Sequence, residues 1–140
     1  MRHGKLTFKL GRTSSHRRCM VANMLKALIE HGRIETTVAK AKHLKRYADR
    51  MVTLGKKGDL ASRRRAIAAL MITQNALTPK EKRAVKGGDK TSYNGDRLVI
   101  TELFDKIAPR YKERQGGYTR IIRLDTRIGD NAEKCLLEFV

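Results

Sequence analysis

Four histidines are the side chains of this sequence best suited to acid–base catalysis. His3 and His16 lie in a stretch without acids, so neither has a carboxylate nearby in the sequence to orient it as a general base. His31 follows Glu30 directly, but adjacent residues of a helix point apart, and His43 lies among lysines. The histidines therefore predict neither an enzyme nor a metal centre.

Other patterns that bind cofactors or metals are incomplete. Cys19 and Cys135 form no CxxC pair and match no zinc spacing, so we expect both to be small buried apolar residues. Residues 125–131 are acidic but lack the residue order of a calcium loop. The glycine pair at 116–117 lacks the GK[ST] of a phosphate loop. The sequence predicts no cofactor.

Positive charge is the dominant chemistry, because 32 Lys and Arg stand against 14 Asp and Glu, a net charge of +18. No acid precedes Glu30. Residues 1–70 hold 18 Lys and Arg against 4 acids, whereas residues 71–140 hold 14 against 10. Charge concentrated in one half repels itself unless a polyanion compensates it, and a phosphate backbone is the commonest polyanion. The composition therefore predicts nucleic-acid binding.

We expect residues 1–13 to form an extended basic tail, because glycines and isolated basic residues leave too little apolar surface to fold alone. An extended chain fits a narrow RNA groove, and histidine rings suit stacking on unpaired bases. Most of the candidate contacts carry a fixed charge that pairs with phosphate. The candidates in the tail and just after it are Arg2, His3, Lys5, Lys9, Arg12, His16, Arg17 and Arg18.

Two further basic clusters stand on predicted helices. Successive helical residues fan over about 200°, so the three guanidinium groups of Arg63, Arg64 and Arg65 suit separate phosphates. A solvated helix face is the alternative interpretation of this triplet. The second cluster is Lys40, Lys42 and Arg46, which lie beside an apolar stripe.

Apolar residues spaced three and four apart predict the helices that position these side chains. The first helix follows a serine cap at residues 14–15 and ends at Gly32. The second follows a threonine cap at residues 36–37 and is broken by Gly55 and Gly58. Its predicted buried stripe is Val38, Ala41, Leu44, Ala48, Met51 and Val52.

Two more helices are predicted on either side of a segment with few large apolar residues. Asp59 caps the third helix, whose predicted inner side is Leu60, Ile67, Leu70 and Met71. Asp96 caps a later helix, which ends at Pro109. Val99, Leu103 and Ile107 lie on one face of this helix. Residues 73–95 between them predict a surface insertion with a short helix, because residues 78–81 have the form of a capping box.

The C-terminal part predicts a β-hairpin. Residues 118–124 and 134–140 are rich in β-forming types, and residues 125–131 supply turn residues between them. With a short strand at residues 33–36, they predict a three-stranded sheet covered by helices. We therefore expect a two-layer α+β fold, with residues 14–140 as a single domain.

Short motifs along the chain resemble those of the bacterial large-subunit ribosomal protein seventeen family. They cover roughly residues 1–70 and 96–140, and they follow one another in the family's order. Each motif is weak alone, but the ordered set is highly specific. The motifs are Met1-Arg2-His3, Leu10-Gly11-Arg12, Ser15-His16-Arg17, Asn23-Met24, Thr36-Thr37 with Lys40-Ala41-Lys42, Gly116-Gly117-Tyr118-Thr119-Arg120 and Gly129-Asp130-Asn131-Ala132.

The resemblance implies a structural constituent of the large ribosomal subunit that binds 23S ribosomal RNA and supports subunit assembly and translation. It adds Ser15, Tyr118 and Arg120 to the expected RNA contacts. It implies neighbouring ribosomal proteins near the polypeptide exit region as partners, a cytoplasmic location, no catalytic role and no cofactor. It also implies no transit peptide, no membrane, no small-molecule substrate and no homo-oligomer.

Two other classes of protein stay open from the residues. A DNA-compacting or helix-turn-helix regulator would also use basic helices, but it would show sequence-specific duplex binding and self-association. An RNA-modifying enzyme would need a cofactor loop or a paired acid and base. The sequence contains neither a cofactor loop nor a paired acid and base.

Overall fold

Most of the helices lie between the first and the second strand along residues 9–140, which are the residues that the computed structural model describes. The helices pack against one antiparallel sheet of three strands, so the predicted α+β class is confirmed. The elements are α1 (Ser14–His31), β1 (Arg33–Thr37), α2 (Val38–Lys57), α3 (Leu60–Ala69), α4 (Pro79–Lys86), α5 (Gly95–Thr101), a π-helical segment (Glu102–Ile107), α6 (Ala108–Arg110), β2 (Thr119–Thr126) and β3 (Glu133–Phe139).

The sheet has the strand order β1-β3-β2, with both pairings antiparallel. Alternate residues of the central strand β3, Cys135 and Leu137, are fully buried in the core. The predicted hairpin is confirmed, although β2 continues two residues into the stretch predicted as turn. The turn is short because the Arg127 N–H donates to the Ala132 carbonyl, at 3.0 Å, and closes it.

The α2 helix carries the largest share of the core. All six residues of its predicted stripe are buried. The predicted break at Gly55 is wrong, because α2 continues through this residue to Lys57. A Cβ atom at Gly55 would lie 3.0 Å from the Cβ atom of Ala108, so glycine lets α6 pass close to α2. The helix ends at Gly58, which has a left-handed φ of 66°.

The helix caps agree with the sequence only in part. The α1 helix begins at Ser14 after Thr13, so the predicted serine cap is wrong by one residue. Asp59 caps α3 as predicted, because its carboxylate accepts the Ser62 N–H at 2.9 Å.

The predicted inner side of α3 is half right. Leu70 is fully buried, but Leu60 is 64% exposed and Met71 is 44% exposed. Ser62 and Ala66 are buried in their place. Small side chains allow α3 to pack closely on α2, which the apolar pattern alone does not indicate.

The helix after residue 94 also differs from its prediction at both ends. Its N-cap is Asn94, whose side chain accepts the Arg97 N–H at 3.0 Å, rather than Asp96. Pro109 does not end it, because the chain reaches this proline through the wider π-helical turn and finishes α6 at Arg110. The shared face of Val99, Leu103 and Ile107 is buried as predicted.

The segment at 73–95 lies at the surface, and none of the residues of α4 is buried. The predicted capping box is present: the Thr78 N–H donates to a Glu81 carboxylate oxygen at 2.7 Å, and the Glu81 N–H donates to the Thr78 hydroxyl at 3.4 Å. The ends of the segment are tied to the domain by hydrogen bonds. The guanidinium of Arg97 donates to the Asn75 carbonyl at 2.6 Å.

The two cysteines differ in environment. Cys135 is fully buried, and burial raises the pKa of its thiol. Cys19 is exposed on α1, so the prediction that both are buried is wrong for Cys19. The residue lies on the solvent side of a helix whose inner face is supplied by Ala22, Leu25 and Leu28.

Candidate nucleic-acid interface

The start of α1 gathers basic side chains. Residues 9–12 form a tight turn, with Leu10 and Gly11 at φ values of 54° and 60°, so the prediction of an extended chain is wrong for this part of the tail. A guanidinium nitrogen of Arg17 donates to the carbonyl oxygens of Arg12 and Lys9, at 3.0 Å and 3.4 Å. These bonds hold the turn beside the first turns of α1.

The predicted contacts around this turn lie close together. Arg12 Nη1 is 3.3 Å from Nε2 of His16, which follows Arg12 by about one helical turn. The Ser15 hydroxyl lies 3.3 Å from the hydroxyl of Thr13, and both residues are exposed. The predictions for Arg2, His3 and Lys5, and for most of the tail, lie outside the described residues.

The α2 helix places a second set of basic side chains next to the first. Burial, followed by the charges of Arg17 and Arg46, lowers the pKa of His43, which is therefore neutral at pH 7. Arg17 of α1 and Arg46 of α2 thus both lie near this imidazole. We call the combined set the α1–α2 basic surface, and it consists of Arg12, Arg17, Arg18, Lys40, Lys42 and Arg46.

Salt bridges distinguish this surface from the sheet, where Arg120, Arg123 and Lys134 are paired. Within residues 9–140, no member of the α1–α2 basic surface forms a salt bridge. Seven other cations of the described residues do form salt bridges, among them Lys26 with Asp96 at 2.7 Å and Lys134 with Glu35 at 2.8 Å. Guanidinium and ammonium groups without a carboxylate partner remain available to phosphate.

The arginine triplet is exposed, but its members point in different directions, as the helical period requires. The Arg63 guanidinium lies over the Phe104 ring, 5.1 Å from its centroid, so it packs on the π-helical segment. Arg65 precedes Ala68 and Ala69 by three and four residues and shares their face of α3. That face borders the α1–α2 basic surface.

Two predicted contacts lie elsewhere. Tyr118 is 3% exposed and packs edge-on against Tyr111, 5.3 Å between centroids, so the prediction that its ring contacts RNA is wrong. Arg120 is exposed and forms an ion pair with Glu138. Thr119 before it points towards α2 and bonds to Asp49, so strand alternation places Arg120 on the opposite face of the sheet.

The sequence reasoning missed Tyr47. It lies on α2 at 40% exposure, with its ring centroid 5.1 Å from that of His43. The spacing of these two rings, four residues apart on a basic helix, is the signal that could have indicated an aromatic patch.

Across residues 9–140 no group of three or more His, Cys, Asp and Glu side chains could hold a metal ion. The same part of the chain has no helix with the length and apolar character that a membrane span requires.

An α+β core with a cluster of basic side chains that form no salt bridge suits the class of small basic proteins that associate with nucleic acid. The family model described as Ribosomal protein L17 matches residues 20–140. The chain belongs to this family and is therefore a protein of the large ribosomal subunit. The membership confirms the resemblance, and it also confirms that the chain is a structural protein rather than an enzyme.

Curated relatives match the chain along its whole length. The large ribosomal subunit protein bL17 of Protochlamydia amoebophila is 61% identical over 140 residues, which is 100% of this chain and 99% of the relative. The proteins of the same name from Chlamydia pneumoniae and Chlamydia muridarum are each 59% identical with the same coverage.

Proposed function

We propose that the chain binds 23S ribosomal RNA in the bacterial large subunit through the α1–α2 basic surface and thereby supports subunit assembly and translation. Membership of the ribosomal family supports RNA as the polyanion rather than DNA. Neighbouring large-subunit proteins near the polypeptide exit region, in the cytoplasm, are the further partners that we propose, and we infer that the chain does not form homo-oligomers.

The observation that carries this proposal is the distribution of ion pairs. Neighbouring cations repel one another, and the described residues provide the α1–α2 basic surface with no carboxylate partner. Phosphate groups would relieve this repulsion, whereas on the sheet the same types of side chain are already neutralised within the protein.

The remaining predicted contacts extend this surface. Lys9, Ser15 and His16 border it at the start of α1, and Arg65 borders it on α3. Contact with RNA by all of these residues is part of the proposal. The further proposed contacts are Arg2, His3, Lys5, Arg63, Arg64 and Arg120.

The test compares two double variants with the same net charge. Lys42→Gln with Arg46→Gln removes two exposed, unpaired cations from the surface. Lys106→Gln with Arg127→Gln removes two exposed cations that form salt bridges with Glu102 and Asp130. Binding of each protein to 23S ribosomal RNA is titrated at several salt concentrations.

We expect the affinity of the unchanged protein for RNA to fall steeply with salt, because phosphate contacts release counterions. The Lys42 and Arg46 variant should lower the slope of log affinity against log salt by about one per lost contact, whereas the control keeps the slope nearly unchanged. Equal slopes for the two variants would contradict the proposed surface. A flat salt response of the unchanged protein would contradict the electrostatic basis of binding.

A further inference from the structure

A cavity opens within the α1–α2 basic surface, where α1, α2 and the end of α3 meet. Its volume is about 440 Å³. Sites for small ligands commonly have volumes of about 300–1,000 Å³, so a single nucleotide fits this size class. The residues from α1 and α2 that line it include Arg17, Arg18, Val21, Leu25, His43 and Tyr47.

The wall of the cavity on α2 is aromatic. The rings of His43 and Tyr47 lie 5.1 Å apart between centroids, and their planes are tilted by 54°. A tyrosine that remains 40% exposed next to a cavity leaves part of its ring without packing partners. Every nucleobase has a π-face that stacks on such a ring, whatever the base.

The opposite wall combines charge and apolar surface. Arg17 and Arg18 of α1 contribute guanidinium groups, and neither forms a salt bridge among the described residues. Val21 and Leu25 follow one and two helical turns after Arg17 and contribute aliphatic surface. A base needs an apolar and aromatic environment, and its phosphate needs an arginine fork.

We propose that this cavity binds one unpaired nucleotide of the RNA, with the base against Tyr47 and the phosphate at Arg17 and Arg18. The proposal deepens the proposed function and rests on it, because the RNA chain delivers the nucleotide. A paired base stays within its stack, so the nucleotide comes from a loop, a bulge or a single-stranded end.

The first experiment measures the affinity of the full-length protein for a short single-stranded RNA oligonucleotide. Tyr47→Ala should weaken binding at least about 5-fold, the typical loss when one stacking ring is removed, and Tyr47→Phe should bind as the unchanged protein does. The matched control is Tyr93→Ala, since Tyr93 is also a partly exposed tyrosine beside an arginine, but lies outside the cavity. Thermal melting confirms that each variant is folded.

The second experiment identifies the occupant on the ribosome. Large subunits that contain the full-length protein are irradiated with ultraviolet light, and the crosslinked peptides are sequenced by mass spectrometry. We expect the peptide that contains Tyr47 to carry one ribonucleotide. A crosslink from this peptide to another protein would overturn the proposal.

The outcomes separate this site from the proposed function. If Tyr47→Ala binds the oligonucleotide as tightly as the unchanged protein, the nucleotide site is wrong. The proposed function then still stands provided that affinity for 23S ribosomal RNA depends on Lys42 and Arg46. The opposite result would be that affinity for 23S ribosomal RNA does not depend on Lys42 and Arg46 while Tyr47→Ala still weakens binding to the oligonucleotide. That result would contradict the proposed α1–α2 basic surface and leave the cavity as the binding site.

Discussion

Gly55 shows how one missing side chain sets the distance between two helices. It lies inside α2, where glycine is less favourable than alanine by about 1 kcal/mol. The helix tolerates it because α6 approaches at this point, with the Cβ atom of Ala108 3.0 Å from the place of an added Cβ. The carbonyl oxygen of Leu103 lies 3.5 Å away on the same side.

Gly55→Ala should lower the free energy of unfolding by up to about 2 kcal/mol. The steric cost of overpacking a core is about 1–3 kcal/mol, which exceeds the gain of about 1 kcal/mol in helix propensity. Urea denaturation followed by circular dichroism measures the change. Gly95→Ala is the matched control, since a Cβ there meets nothing within 4 Å and the residue begins α5, so the variant should keep or raise the stability. Stabilisation by Gly55→Ala would show that α6 shifts freely.

At the scale of elements, the segment at 73–95 has ends that form hydrogen bonds and a middle part, α4, that buries no residue. Its ends are held by hydrogen bonds between half-buried and exposed groups: Asn94 donates to the Thr73 carbonyl at 2.6 Å, and Asp96 accepts the Thr73 N–H at 2.7 Å. Asp96 also pairs with Lys26. Between these ends, α4 buries no residue.

Replacing residues 77–90 with a Gly/Ser linker of equal length should leave the melting temperature nearly unchanged, because loops without core contacts contribute little to stability. Differential scanning calorimetry provides the measurement. Asn94→Ala gives the contrast: it removes the N-cap of α5 and should cost about 0.5–2 kcal/mol. A large loss of stability in the linker variant would mean that α4 supports the core.

The elements that the sequence predicted correctly are those determined by local periodicity. The stripe of α2 and the two strands of the hairpin follow from side-chain spacing, which depends on no distant residue. Gly55 and Tyr118 were misread because their packing partners, Ala108 and Tyr111, come from other parts of the chain. The basic residues of the site were predictable from charge, but the cavity depends on how three helices meet.

At the scale of the whole molecule, we expect residues 2–8 to serve RNA binding rather than stability. Among the described residues, the buried apolar core begins at Ala22. Residues 2–8 precede it and carry Arg2 and Lys5 without any acid. In this N-terminal stretch, basic residues therefore precede the core along the sequence.

Deleting residues 2–8 should leave the melting temperature of the free protein almost unchanged. The same deletion should weaken binding to 23S ribosomal RNA and lower its salt slope by about two, because two basic side chains are lost. Calorimetry and salt-dependent titration measure the two effects on one sample. A clear fall in melting temperature would contradict the separation of the two roles.

The α1–α2 basic surface has one more consequence, which concerns kinetics. Unpaired cations on one side and neutralised ion pairs on the sheet give the molecule a permanent electric dipole moment. In the field of a polyanion this dipole produces a torque, which turns the cationic side forward before the two molecules touch. Given the proposed function, we expect the protein to meet RNA already oriented, which shortens the rotational search that limits most macromolecular encounters.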